Sequence, residues 1–168
     1  MPCQRRNTVL LVLLLAGCPA AAAESATTPS ATTNNEVKHM HATGPFDVKM
    51  TAQSGSDAFN AAKLGRQTLT KTFSGDLQGS GVGEMLMAMG DVKGSAGYVA
   101  IERVDGILNG RTGSFVLQHS GTMNRGAPHL LISVVPDSGS GELTGLAGTM
   151  TIQNDAGDHR YIFDYTLP

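Results

Sequence analysis

Three features of the sequence predict an all-β domain, a small antiparallel up-and-down barrel of short strands. Apolar and polar residues alternate in run after run across residues 43–168, and glycine-bearing turn pairs separate the runs. No amphipathic stretch longer than about two helical turns interrupts them. The clearest run lies between Gly113 and Gly121, where Phe115, Leu117 and His119 share one face and Val116, Gln118 and Ser120 the other. Closing such a meander removes the unpaired edges that would otherwise recruit other chains.

The N-terminal element is a leader. Residues 1–18 read as a bacterial export signal of the lipoprotein type, with Arg5 and Arg6 ahead of an apolar run from Val9 to Ala16. That run is shorter than the ~20 residues needed to span a bilayer. Leu15-Ala16-Gly17-Cys18 at its end resembles a lipobox, which implies acylation of Cys18 and a mature chain that starts there. Ala21-Ala22-Ala23 before Glu24 offers a competing cleavage site, with soluble export as its consequence. The expectation is an exported, periplasmic lipoprotein that meets the membrane through the lipid on Cys18 only. Cys3 and Cys18 are the only cysteines, so the folded domain has no disulfide, thiolate metal site or cysteine nucleophile.

Residues 19–42 are rich in Ala, Thr, Ser and Pro and read as a flexible linker between lipid and domain. Its last part carries His39-Met40-His41; two imidazoles alone make a weak metal site, and no metal is assigned to them. The mature chain keeps ten basic against fourteen acidic side chains once Arg5 and Arg6 are removed. A mildly acidic surface without a Lys/Arg cluster argues against nucleic acid as a partner.

The strands follow in order. Phe46 to Met50 alternates and breaks at Gly55-Ser56-Asp57, and residues 56–64 form a short helix or an irregular crossing. Leu64 to Phe73 sets Thr68, Thr70 and Thr72 against Leu69 and Phe73, and Ser74-Gly75-Asp76 turns the chain. Further strands are expected at 83–89, 95–104, 106–108, 113–123, 130–135, 148–153 and 160–167. Asn109-Gly110, Asn124-Arg125-Gly126 and Ala156-Gly157-Asp158 stand between them and suit the positive φ of tight hairpins.

Four motifs occur in one order: Thr70-Lys71-Thr72-Phe73-Ser74-Gly75-Asp76-Leu77, Glu102-Arg103-Val104-Asp105-Gly106, the stretch from Gly113 to Gly121, and Val134-Val135-Pro136 followed by the stretch from Gly139 to Leu146. Together, over roughly residues 43–168, they closely resemble the bacterial family known as domain of unknown function 3224. That resemblance implies an allene oxide cyclase-like barrel and brings no activity with it. The chain departs from the family pattern where Met50-Thr51 replaces a usual tryptophan, and where Met85 and Met89 replace frequent tyrosines.

Within a barrel, alternation selects the interior. Phe115, Leu117 and His119 face inward on one strand, Tyr161, Phe163 and Tyr165 on another, and Leu130, Ile132 and Val134 on a third. Met85, Met87 and Met89 share a face; a thioether site for Cu(I) is one reading, barrel filling by an adaptable side chain the preferred one. If they face in, Leu86 is exposed and hints at a homo-oligomer. The strand at 95–104 has two candidate inner faces; if Arg103 is solvated, Glu102 points inward near His119. Such a pair is an acid/base candidate or a buried hydrogen-bonded pair that holds register. No phosphate loop or nucleophile elbow is present, because the Gly139–Leu146 segment lacks the lysine and helix, and no Gly-x-Ser-x-Gly occurs.

The functional expectation is therefore an exported barrel that binds a small, mainly apolar molecule, lined by Met85, Met87, Met89, Phe115, Leu117, His119, Tyr161, Phe163 and Tyr165, with no cofactor. An isomerase or cyclase using Glu102 and His119 is the first alternative. A filled barrel serving as an envelope interaction module is the second.

Overall fold

The computed structural model describes residues 38–168; the expected signal, its Cys18 and most of the linker lie outside them. The strands are β1 (Lys38–Gln53), β2 (Leu64–Phe73), β3 (Leu77–Met89), β4 (Ala96–Leu108), β5 (Arg111–Asn124), β6 (Ala127–Val134), β7 (Ser140–Gly141), β8 (Ala147–Asp155) and β9 (Asp158–Leu167). One five-residue helix, α1 (Asp57–Ala61), sits where the short helix was expected, and Ser56 caps it by accepting from the Phe59 amide. All pairings are antiparallel in the order β4-β3-β2-β1-β9-β8-β6-β5, and β4 pairs with β5 to close an eight-stranded barrel. The two-residue β7 adds a ninth strand beside the start of β5.

Three two-residue hairpins hold neighbours together, at Asn109-Gly110, Arg125-Gly126 and Ala156-Gly157, and all six residues have positive φ. That backbone twist matches the twist of the flanking strands. β1 begins at Lys38, inside the stretch read as linker, because Lys38–Pro45 pairs with β9 while Phe46–Gln53 pairs with β2. His41 is thus strand, and its Nδ1 lies 2.7 Å from Asp164. The expected break in β4 near Asp105 is absent. Gly106 there faces Gly79 of β3, and two residues without Cβ atoms let the strands pass closely and coil onward.

One seam is loose. β6 and β8 share a single ladder pair, Ser133 with Thr149, and diverge on the side towards Ala127 and Asp155. At the opposite end the connection from β6 to β8 carries β7 and folds Leu143 and Leu146 into the core, both essentially without solvent contact.

Candidate functional site

Side chains on the inner faces fall into three levels along the barrel axis. The lower level is solid: Leu77, Val104, Leu108, Phe115, Leu117 and Phe163 are each fully buried. Phe115 stacks on Phe163 with centroids 5.6 Å apart, and Phe163 stacks on Tyr165 at 5.1 Å. Tyr161 closes this end through its hydroxyl, which accepts from the Leu77 amide at 2.7 Å and reaches the carbonyls of Thr43 and Ser74, both at 3.0 Å. Burial pushes its phenol above the ordinary value. The upper level is a smaller cluster of Leu69, Met85 and Ala100, with Met87 and Tyr98 packed against it.

Between them lies a layer of charge. Moving along β2 the inner face reads Leu69, Lys71, Phe73; on β4 it reads Ala100, Glu102, Val104; on β5, His119 and then Leu117. Lys71, Glu102 and His119 are 6%, 0% and 4% exposed. Glu102 Oε2 accepts from Lys71 Nζ at 2.7 Å and from His119 Nε2 at 3.1 Å. The ammonium also lies 5.2 Å from the Phe46 ring centroid and 5.6 Å from that of Phe73. Room for the carboxylate comes from Gly81 across the sheet, where any Cβ would collide with Glu102 Oε1. That second oxygen has no hydrogen-bond partner among the described residues.

Burial by itself raises the Glu102 pKa, but donation from His119 and the charge and donation of Lys71 outweigh it, and the group sits below the usual carboxylate range. Glu102 is therefore a carboxylate inside the barrel. Because an ionised carboxylate only accepts, the His119 proton sits on Nε2, and Nδ1 has no partner among the described residues.

Above this layer the barrel is hollow. A cavity of ≈ 210 Å³ is walled by Val48, Leu69, Met85 and Ile152, with Lys71 and His119 in its floor. The gap between β6 and β8 contributes to it, since Leu130 and Ile152 would oppose one another had the seam continued. Tyr98 stands between this cavity and a second of ≈ 220 Å³ at the rim, lined by Met87, Met89, Met123 and Leu130 among others. The Tyr98 ring lies against Gly121, where a Cβ would occupy the same space. Its burial pushes the phenol pKa up. A groove of ≈ 310 Å³ beside the β8–β9 hairpin, with Asp47, Asp158 and Arg160, lies on polar surface and holds none of the buried charge.

The structure separates the residues expected to line one site. Met85 and His119 line the inner cavity; Met87 and Met89 line the rim, Met89 being 64% exposed. Phe115, Leu117, Tyr161, Phe163 and Tyr165 belong to the solid level and have no surface on either cavity. Their inward direction follows from alternation, but their depth follows from strand register. Glu102 lies inward, as the solvated Arg103 requires: that guanidinium points out to Asp105 and Ser114. Lys71 is the residue the sequence reading missed, although it shares the parity of Leu69 and Phe73. On the outer wall Leu86, Val99 and Ile101 are exposed and form an apolar patch on β3 and β4, and exposed Leu131 lies beyond Ser120.

Comparison with known proteins agrees with this barrel. A crystal structure of a protein of unknown function from the DUF3224 family of Shewanella oneidensis MR-1 superposes with a TM-score of 0.73 at 52% identity, covering 78% of this chain and 99% of that one. The model of the family described as protein of unknown function (DUF3224) matches residues 42–165. Neither finding names allene oxide cyclase. Among curated proteins none matches. With a family model spanning most of the barrel and a solved relative at this identity, the chain belongs to the DUF3224 family.

Proposed function

We propose that this protein is an exported carrier or sensor that binds one small, mainly apolar molecule in the open half of its barrel. The observation that supports it is the buried charge layer beneath an apolar-walled cavity, with Lys71 and His119 in the cavity floor and Glu102 bonded to both. Apolar walls with a few convergent polar groups are the usual make-up of a ligand pocket. A polar layer kept this deep is costly unless its members satisfy one another. Native mass spectrometry of the gently purified protein is the test. A mass increment that disappears on denaturation is expected; no increment, together with no binding of small apolar probes, removes the reading.

The 3.1 Å bond between His119 and Glu102 favours one second reading, an isomerase-type acid/base site in which Glu102 orients His119 and Nδ1 exchanges a proton with the ligand. The attachment proposal rests on Leu15-Ala16-Gly17-Cys18, and an acylated Cys18 in the membrane fraction is its expected result. A chain starting at Glu24 would contradict it. Self-association is the matching proposal for the outer patch around Leu86, and sedimentation of the purified barrel decides it.

A further inference from the structure

Lys71 is the one ammonium in the cavity floor, and its hydrogen bonding is incomplete. It carries three N–H donors, and among the described residues one is used, on Glu102 Oε2. The remaining two have no acceptor among the described residues: the Phe46 and Phe73 rings flank the ammonium, and it borders the cavity. A buried donor without an acceptor is costly, so the position favours a ligand that brings an oxygen to it.

The charge of that oxygen follows from its neighbours. Lys71 and Glu102 cancel, since the carboxylate is ionised and 2.7 Å away. The other titratable side chains of the cavity lining are the imidazoles of His119 and His159 and the phenol of Tyr98. An anionic ligand would therefore bring an uncompensated charge into a cavity where Lys71 is already neutralised by Glu102 beneath it, an arrangement that low-dielectric surroundings penalise. A neutral carbonyl oxygen meets no such penalty and takes the spare N–H groups of Lys71. Size points the same way as polarity. A cavity of ≈ 210 Å³ is below the ~300–1,000 Å³ of pockets for drug-sized molecules, so the bound body is small.

We propose that the ligand class of the barrel is a small, uncharged carbonyl compound, a ketone, aldehyde or ester, whose oxygen is held by Lys71 Nζ and whose apolar body lies against Leu69, Met85 and Ile152. This rests on the barrel being a ligand carrier and adds to it the chemistry of the bound group. Lys71 is then the specificity-determining residue, and His119 and Glu102 position it.

Three probes of nearly one shape separate the possibilities: acetophenone, ethylbenzene and benzoate, each titrated into the purified barrel by ligand-observed NMR with the Met85 methyl resonance as the site reporter. A hydrogen bond from a charged donor in an apolar site is worth about tenfold in affinity or more, ~1.4 kcal/mol per factor of ten. Acetophenone is expected to bind at least that much more tightly than either ethylbenzene or benzoate. Lys71→Met should abolish the advantage of acetophenone over ethylbenzene while ethylbenzene still binds. Because that variant leaves Glu102 without its ammonium, Lys71→Met with Glu102→Leu is the paired control, with the same outcome expected. Equal affinity for acetophenone and ethylbenzene overturns the carbonyl assignment and leaves the carrier reading standing. Tightest binding of benzoate overturns the neutral-ligand assignment. Failure of both acetophenone and ethylbenzene to perturb Met85 removes the carrier reading, and the assignment with it.

Discussion

The two ends of the barrel are built on one pattern and do different things. Both are walled by the same eight strands with the same inward alternation, yet one end is packed with rings and branched chains while the other is hollow. The difference lies in what the inner positions carry and in how the wall closes. The solid end receives Phe115, Tyr161, Phe163 and Tyr165 and is sealed by Leu143 and Leu146 from the β6–β8 connection. The open end receives methionines, Ala100 and Gly121, and its wall parts between β6 and β8. Stability is thereby concentrated at one end, which lets the other keep a cavity and a buried charge layer. A domain without cysteines cannot staple itself, so the solid end has to supply the burial.

The largest effect should come from the solid end. Phe163→Ala removes a fully buried ring that stacks on two others, and a loss of about 3–5 kcal/mol is expected by denaturant unfolding. A loss similar to that of an exposed residue would mean that the two ends are not distinct. Close behind is the boundary layer. Glu102→Leu strands Lys71 in a low-dielectric site, and breaking one partner of a buried pair costs about 3 kcal/mol or more. Adding Lys71→Met should restore most of that loss, since two apolar chains then replace the pair. The same layer sets an acid response. Because the folded Glu102 pKa is depressed, its stabilising contribution is present above the unfolded carboxylate value of about 4.3 and is lost as pH falls through the folded value. The double variant should therefore lose less stability than the native protein as pH drops below that window.

Tyr161→Phe tests the seal with a smaller cost. The ring stays, but the buried Leu77 amide loses its acceptor, which is worth about 1–3 kcal/mol. An unchanged unfolding midpoint would mean that water replaces the hydroxyl and that this end is less dry than its burial implies.

These experiments bear on residues that the sequence reveals to unequal degrees. Barrel class, the turn pairs at Asn109-Gly110 and Ala156-Gly157, and the inward direction of Phe115 or Tyr161 are local properties of alternation and φ, and they can be read directly. The pairing of Lys38–Pro45 with β9 is not local; nothing in His39-Met40-His41 signals a partner more than a hundred positions away. β7 is too short to carry a period. Glu102 follows from parity once Arg103 is assigned to solvent. Lys71 shares the inward parity of Leu69 and Phe73, but a lysine in a threonine-rich strand ordinarily reads as solvated, so parity alone does not bury it. Its burial depends on Gly81 of the next strand leaving space for Glu102, information that exists only across the sheet. Depth is lost for the same reason. Alternation says that Phe163 and Met85 both face in, but only register says that one fills the core and the other borders a void.

The smallest expected effect is at the rim, where the contrast between the ends is sharpest per atom removed. Met87 points inward like Phe163, but it borders the rim cavity, lies over Gly65 and packs only against the small Leu69, Met85 and Ala100 cluster. Burying a side chain stabilises in proportion to the surface it removes from water, and a chain already bordering open space has less to lose. Met→Ala in a solid core costs about 2–5 kcal/mol, whereas Met87→Ala should cost about 1 kcal/mol or less. The truncation also enlarges the rim cavity, so the affinity for an apolar probe should change even where the unfolding midpoint hardly moves. A core-sized loss of stability at Met87, without any change in probe binding, would place Met87 in the solid level and move the boundary between the two ends above Tyr98.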